Sequence, residues 1–153
     1  MAGVALITAR FDDGPIRRHL AALALLDERE FDRGRIEIGE YFVGEVQDNL
    51  QRQRLVDGSA MPQSKAAIRR KGKTLVDSGR LRDSYTYQLV PGGVEIGSAV
   101  IYAAIHHFGW DSGEKHPPPT LPARPVLGIN PEGERELADI VIRALRRAQG
   151  GQA

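Results

Sequence analysis

KGKTLVDSGRLRDSYTYQLVPGGVEIGSAVIYAAIHHFG (residues 71–109), followed after a proline-rich gap by LPARPVLG (residues 121–128), is the stretch from which the fold can be read. Tyr85 to Val90 and Val94 to Gly97 are short β-prone runs separated by Pro91-Gly92-Gly93. The glycines supply the positive φ angles that a tight reversal requires, so the segment reads as a β-hairpin. Ile101, Ile105 and Phe108 then share one face of a short helix, which Gly109 is placed to end in the left-handed conformation. Burial accounts for these apolar faces, and hairpin and helix together read as scaffold.

Working outward from the hairpin, Asp77-Ser78-Gly79 is a turn. Ser59 to Gly72 is polar and basic without an apolar period, which predicts a loop with at most one helical turn after Pro62. Before Asp57-Gly58 the spacing predicts a long helix from about Asp32 to Arg54, with Ile36, Gly39, Val43, Val46 and Leu50 facing the core. Val4 to Phe11 is a strand closed by Asp12-Asp13-Gly14, and Pro15 opens a helix that places Ile16, Leu20 and Leu23 on one face. On the C-terminal side, five of the nine prolines fall between Trp110 and Pro125. That composition favours an extended polyproline path, which has no internal hydrogen bonds and must find partners outside itself. The last helix has clear ends: Asn130 as N-cap, Pro131 at the first position, Glu132 and Glu134 at the positive end, and Arg143, Arg146 and Arg147 at the negative end. Leu137, Ile140, Val141 and Leu145 form its apolar face. The expected fold is α+β, one domain over residues 1–153. A small antiparallel sheet, made of the hairpin and the N-terminal strand, packs against the long helix and the C-terminal helix. A proline-rich arm spans residues 112–125, and residues 149–153 form a flexible tail.

The chain has 153 residues with 41% hydrophobic and 27% charged side chains, ordinary values that argue against disorder or a fibrous protein. A net charge of +1 excludes a strong global field for nucleic acid, leaving only local patches. There is no cysteine, which rules out disulfides and thiolate metal sites and suits a reducing cytoplasm. The longest apolar run, Leu20 to Leu26, falls far short of the ~18 residues needed to cross a bilayer, so no membrane partner is expected. Flanked by acidic pairs, it reads as a helix face and not as an export signal.

Catalytic and metal readings find little support. His106, His107, Asp111 and His116 lie within eleven residues, but adjacent helical residues diverge by roughly 100°, and the i, i+4 histidine spacing of helical zinc sites is absent. Tyr102 and His106 are four apart and within reach of each other. Ser78 and Ser84 sit in no nucleophile elbow, and Gly92, Gly93 and Gly97 lack the strand, loop and helix order of a phosphate cradle. No cofactor and no metal are therefore expected. Lys65, Arg69, Arg70, Lys71, Lys73, Arg80 and Arg82 face only Asp77, which fits a solvated loop, a contact with phosphates, or a contact with an acidic partner protein. No aromatic residue is interleaved there to stack on bases.

Taken in order, these motifs resemble a known family. They are the Gly72-Lys73 before Leu75-Val76-Asp77-Ser78-Gly79-Arg80-Leu81, the hairpin with Val94-Glu95-Ile96-Gly97, Tyr102-Ala103-Ala104-Ile105-His106-His107-Phe108-Gly109, and Leu121-Pro122-Ala123-Arg124-Pro125-Val126-Leu127-Gly128. The chain is similar over most of its length to the virion morphogenesis or tail completion proteins of Mu-like and P2-like contractile-tailed phages. It departs from them at Ser59-Ala60-Met61-Pro62, where the family carries a tryptophan and Pro-Leu, and at Val126, where it carries an aromatic. The resemblance implies a non-enzymatic structural protein at the neck or tail end of the virion, assembled in the host cytoplasm. It would act as a homo-oligomeric, hexameric ring that meets tail tube, tail terminator or head-tail connector proteins, with genomic DNA passing through. Tyr102, His106, His107, Trp110, Lys115, His116, Pro118 and Arg124 would then make subunit or partner contacts, and the Lys65 to Arg82 segment would face DNA or an acidic partner. Two alternatives stand beside this reading: a nucleic-acid-binding module acting through Lys65 to Arg82, and a metal-dependent hydrolase using His106, His107 and His116.

Overall fold

The computed structural model describes residues 28–111 and 120–150, with Gly14 and Arg18. The expected strand at Val4 to Phe11, the helix after Pro15, the arm residues Lys115, His116 and Pro118, and the last three residues lie outside that range.

The architecture is α+β. Helix α1 (Glu28–Arg52) is followed by two short helices, α2 (Lys65–Arg69) and α3 (Arg80–Asp83), the hairpin strands β1 (Tyr85–Val90) and β2 (Gly93–Ser98), α4 (Ile101–Phe108) and α5 (Pro131–Gly150). Carboxylates at Glu28 and Glu30 sit in the first turn of α1 and Arg52 in its last, each complementing the helix dipole. The helix begins a turn before the expected Asp32, and its buried face is Gly34, Gly39, Phe42, Val46, Asn49 and Leu50. Ile36, expected inside, is exposed, and Phe42 takes the central place. The reason is that α1 meets two partners at once. A Cβ at Gly34 would lie 3.1 Å from the Cβ of Ala144 on α5, and one at Gly39 would overlap the Tyr87 ring on β1. At Gly34 and Gly39 the lack of a side chain is what lets another element come this close.

The sheet is the expected hairpin, antiparallel from Tyr85↔Ser98 to Val90↔Gly93, reversing through Pro91 and Gly92, where φ is 76°. A lone two-stranded hairpin is marginal in water, and α1 lies across both strands and supplies the missing layer. The Ser84 and Ser98 hydroxyls meet at 2.7 Å, and Ser98 Oγ also accepts from the Val100 amide, so the open end of the hairpin is tied to the start of α4. The core joins Val46, Leu50, Met61, Leu81, Tyr85, Ala103 and Val126. Buried polar groups within it are paired: Asn49 Nδ2 donates to Val126 O (3.2 Å), and the fully buried Thr74 accepts from the Ser64 amide and donates its own N–H to Gln53 Oε1 (2.6 Å).

At the start of α5, Asn130 Oδ1 accepts from the Gly133 amide at 2.8 Å while Nδ2 donates to Val56 O, so the cap also fastens the helix to the preceding loop. Small residues, Gly133, Ala144 and Ala148, alternate with Ile140 on the buried face and allow α5 to lie close on α1. Arg147 bridges Glu30 and Glu37 at 3.0 Å each. Val141, expected on the buried face, is exposed together with Ile142. The helix turns Ile140 and its small residues inward and leaves Val141 and Ile142 outside.

Candidate assembly interface

The basic segment carries the helical turn expected after Pro62 and is otherwise a loop pinned at several points. Ser64 Oγ accepts from the Ala67 amide and caps α2, the buried Thr74 fixes the middle, and Gly79 (φ 82°) leads into α3. Three of its seven cations are used within the fold. Arg70 donates to Lys73 O (2.6 Å) and Val76 O and reaches Asp77 at 3.6 Å; Lys73 Nζ donates to Gln51 O at 2.8 Å; and Arg82 pairs with Asp83 at 2.7 Å. Lys65, Arg69, Lys71 and Arg80 are exposed and form no ion pair with the described residues.

Proline spacing predicts an arm without internal bonds, yet its two described ends are bonded to each other and to α4. Trp110 and Leu121 exchange amide hydrogen bonds at 2.9 Å in each direction, and the Arg124 amide donates to His106 O at 2.8 Å. Gly109 makes this possible. Its φ of 77° is positive as expected, but ψ is 174°, so the residue is not a left-handed cap; it turns the chain straight into the pairing with Leu121. A Cβ there would lie 2.8 Å from Leu121 O and 2.9 Å from the Ala123 amide.

Arg124, expected at a partner contact, is instead buried in its own chain. Only 4% of it is exposed, and Nε donates to Pro62 O at 3.0 Å, stitching the arm's return to the chain before α2. A guanidinium placed among carbonyls in this way holds the fold together, at the cost of a pKa lowered by burial. Beside it, His106 has a buried Nδ1 with no hydrogen-bond partner, and its pKa is lowered by burial and then by the Arg124 charge, which keeps the imidazole neutral. Its ring meets Tyr102 edge-on at 6.0 Å. His107 points elsewhere, packing edge-on against Phe108 at 4.7 Å, and burial lowers its pKa too. Among the described residues no three His, Asp or Glu side chains are grouped to hold a metal ion, and none of the described helices is long and apolar enough to cross a membrane.

These pieces converge on one groove of about 1160 Å³. Lys65, Arg70 and Arg80 stand on one wall, Tyr102 and His106 on another, and Thr120, Leu121 and Pro122 at the root of the arm close it, over a floor that includes Leu75 and Leu81. The sequence thus placed two features separately, the basic segment and the arm, that the fold brings to a single site.

The larger surprise is α4. Ile101 is 88% exposed, Phe108 78%, and Ile105 and Ala104 are exposed between them, while only Ala103 is buried. The face expected to pack on the core lies outside, with Trp110 (45% exposed) and Leu121 alongside. Sequence spacing showed that these residues share a face; it carried no signal for whether that face meets this chain or another molecule.

The chain belongs to the phage virion morphogenesis family, whose model matches residues 12–146. It is 35% identical over 77 residues to "Putative capsid assembly protein G" of Escherichia phage Mu, an alignment that covers 50% of this chain and 49% of that protein. The match thus spans about half the length of this curated relative. No solved structure matches. Membership in the family carries a role in phage virion assembly.

Proposed function

We propose that this chain is a non-enzymatic tail completion protein that works at the head-tail junction as a ring of identical subunits, located in the virion neck. The carrying observation is the outward apolar face of α4, with Ile101 88% and Phe108 78% exposed. Helix α4 carries apolar side chains on the side that faces out as well as Ala103 on the side that meets the core, and contiguous exposed apolar surface on a folded chain marks an interaction site. Rings form through head-to-tail contacts that close, so a patch on one side of the subunit matches this reading. Trp110 beside the face has the character of an interface anchor. Tail tube, tail terminator or connector proteins are the expected neighbours along the ring axis, with DNA passing through.

Mass measurement of the purified protein, alone and with tail tubes, tests the ring; a monomer under every condition overturns it. Electron micrographs of particles made without this protein are expected to show filled heads beside unattached tails, and normally joined particles would overturn the junction role. Zinc in the purified protein by elemental analysis would favour the hydrolase reading instead.

A further inference from the structure

Four cations of the basic segment form no ion pair among the described residues, and neither do two carboxylates elsewhere on the chain. On the second surface Tyr41 packs edge-on against Phe42 at 5.1 Å and is ringed by Glu45, Glu132 and Glu136. Glu136 is held by Arg143 at 3.2 Å, and the neighbouring Asp48 by Arg52 and Arg54 at 2.8 Å each. Glu45 and Glu132 are in no ion pair with the described residues. Burial, then Glu132, then Asp48 hold the Glu45 carboxyl above its ordinary range against the opposing pull of Arg54 and Arg52, and burial with Glu45, Glu132 and Glu136 raises Tyr41. This surface therefore presents an aromatic ring between two carboxylates that repel each other. The groove side presents the converse, with Lys65 and Arg80 exposed next to Tyr102 and the apolar face of α4.

We infer that the two surfaces are halves of one head-to-tail contact, in which the Lys65 and Arg80 rim of one copy seats on the Glu45 and Glu132 pair of the next. The inference rests on the ring reading and adds which faces meet. Opposite potentials fix the order of the two faces, since a face meeting its own kind brings like charges together. Because the faces lie on different parts of the subunit, the contact is heterologous and can repeat around a closed ring. A chain whose net charge is only +1 gains no global attraction for DNA, and the cations here border the exposed apolar face of α4; both features favour a protein occupant over nucleic acid.

The test uses the full chain in two charge-reversed forms, Lys65→Glu with Arg80→Glu, and Glu45→Lys with Glu132→Lys, with oligomer mass read by light scattering and folding by circular dichroism. Each form alone faces like charge at every contact and is expected to stay monomeric, with at least ~10-fold weaker association. Mixed one to one, they restore opposite charges at every contact and are expected to assemble in alternation; wild-type assembly is expected to weaken with salt. Folded variants that assemble alone as the wild type does, or a mixture that stays monomeric, overturn the contact while leaving the ring intact. A Lys65→Glu, Arg80→Glu form that loses DNA binding but keeps its oligomeric mass likewise overturns the contact. A wild type that stays monomeric even with tail tubes overturns the ring reading, and this contact with it.

Discussion

The α1 and hairpin layer and the α4 ledge are written in the same apolar alphabet and end in opposite surroundings. Leu50 is 0% exposed and Val46 1%, whereas Ile101 and Phe108 stand in solvent. The difference lies in what each element has to cover it. α1 has α5 on one side and β1 on the other, with Gly34 and Gly39 letting both approach, while Ala103 is the one residue of α4 that is buried in the core. Periodicity reports which residues share a face; the identity of the neighbour is decided by the rest of the chain or by another molecule.

The strongest way to break the inner region is Leu50→Ala. With no exposed surface and neighbours on several elements, its loss leaves a cavity and is expected to cost about 2–5 kcal/mol, read as a lower urea midpoint at unchanged slope. Next is Gly109→Ala, where the region between core and ledge is knotted. The added Cβ meets two backbone groups below 3.0 Å in a conformation reserved for glycine, so a loss of order 1–3 kcal/mol is expected, with faster amide exchange at Trp110 and Leu121.

Much of the inner region was legible from sequence because its signals are local. Pro91-Gly92-Gly93 between β-prone runs defines the hairpin, and Asn130-Pro131 opens α5 within one residue of its observed start. The long helix was placed, but its inner face was misjudged. Phe42 rather than Ile36 turns inward because of Ala144 and Tyr87, which lie about 100 and 50 residues further along the chain. The site was legible in parts only. Its cations and the arm were visible as composition, yet which of them are consumed by the fold depends on carbonyls at Gln51, Pro62 and Val76, and backbone acceptors leave no mark in a sequence. Arg124 shows this most plainly: beside prolines it reads as a contact residue, and the fold uses it as an internal strut.

That strut gives the third effect. Arg124→Ala leaves Pro62 O without its donor and is expected to cost about 1–3 kcal/mol in chemical denaturation. It also removes one of the two causes that depress His106, so the His106 pKa, followed by NMR, is expected to rise toward its ordinary value. A pKa that stays put in a folded Arg124→Ala variant would mean that burial alone sets it.

A smaller effect follows from His106 in the unaltered chain. Its folded pKa is below the ordinary value of about 6.5, so the unfolded chain binds the proton more readily, and stability rises with pH through that window. The contribution is complete above about pH 6.5 and is lost as the pH falls toward the depressed folded value. His106→Gln is expected to flatten part of the decline between neutral and mildly acidic pH in urea midpoints, and His107→Gln, whose shift has the same sign, a further part. An unchanged slope in both variants would show that neither imidazole is depressed in the folded chain.

The smallest change in stability is predicted where the apolar side chains are largest, and there the contrast between the two regions is sharpest. Ile101→Ser and Phe108→Ser remove surface that the folded chain already leaves in water, so each is expected to shift the free energy of unfolding by no more than ~0.5 kcal/mol. If the α4 face is covered only in an assembly, the same substitutions lower oligomer mass and leave the urea midpoint of the monomer in place. A large loss of monomer stability would mean that the face is packed within its own chain, and α4 would then belong with the hairpin as scaffold. Unchanged stability together with unchanged assembly would leave the face without an occupant and remove the observation on which the ring reading stands. The two measurements taken together decide whether the apolar pattern of α4 was selected for the fold or for the neighbouring molecule.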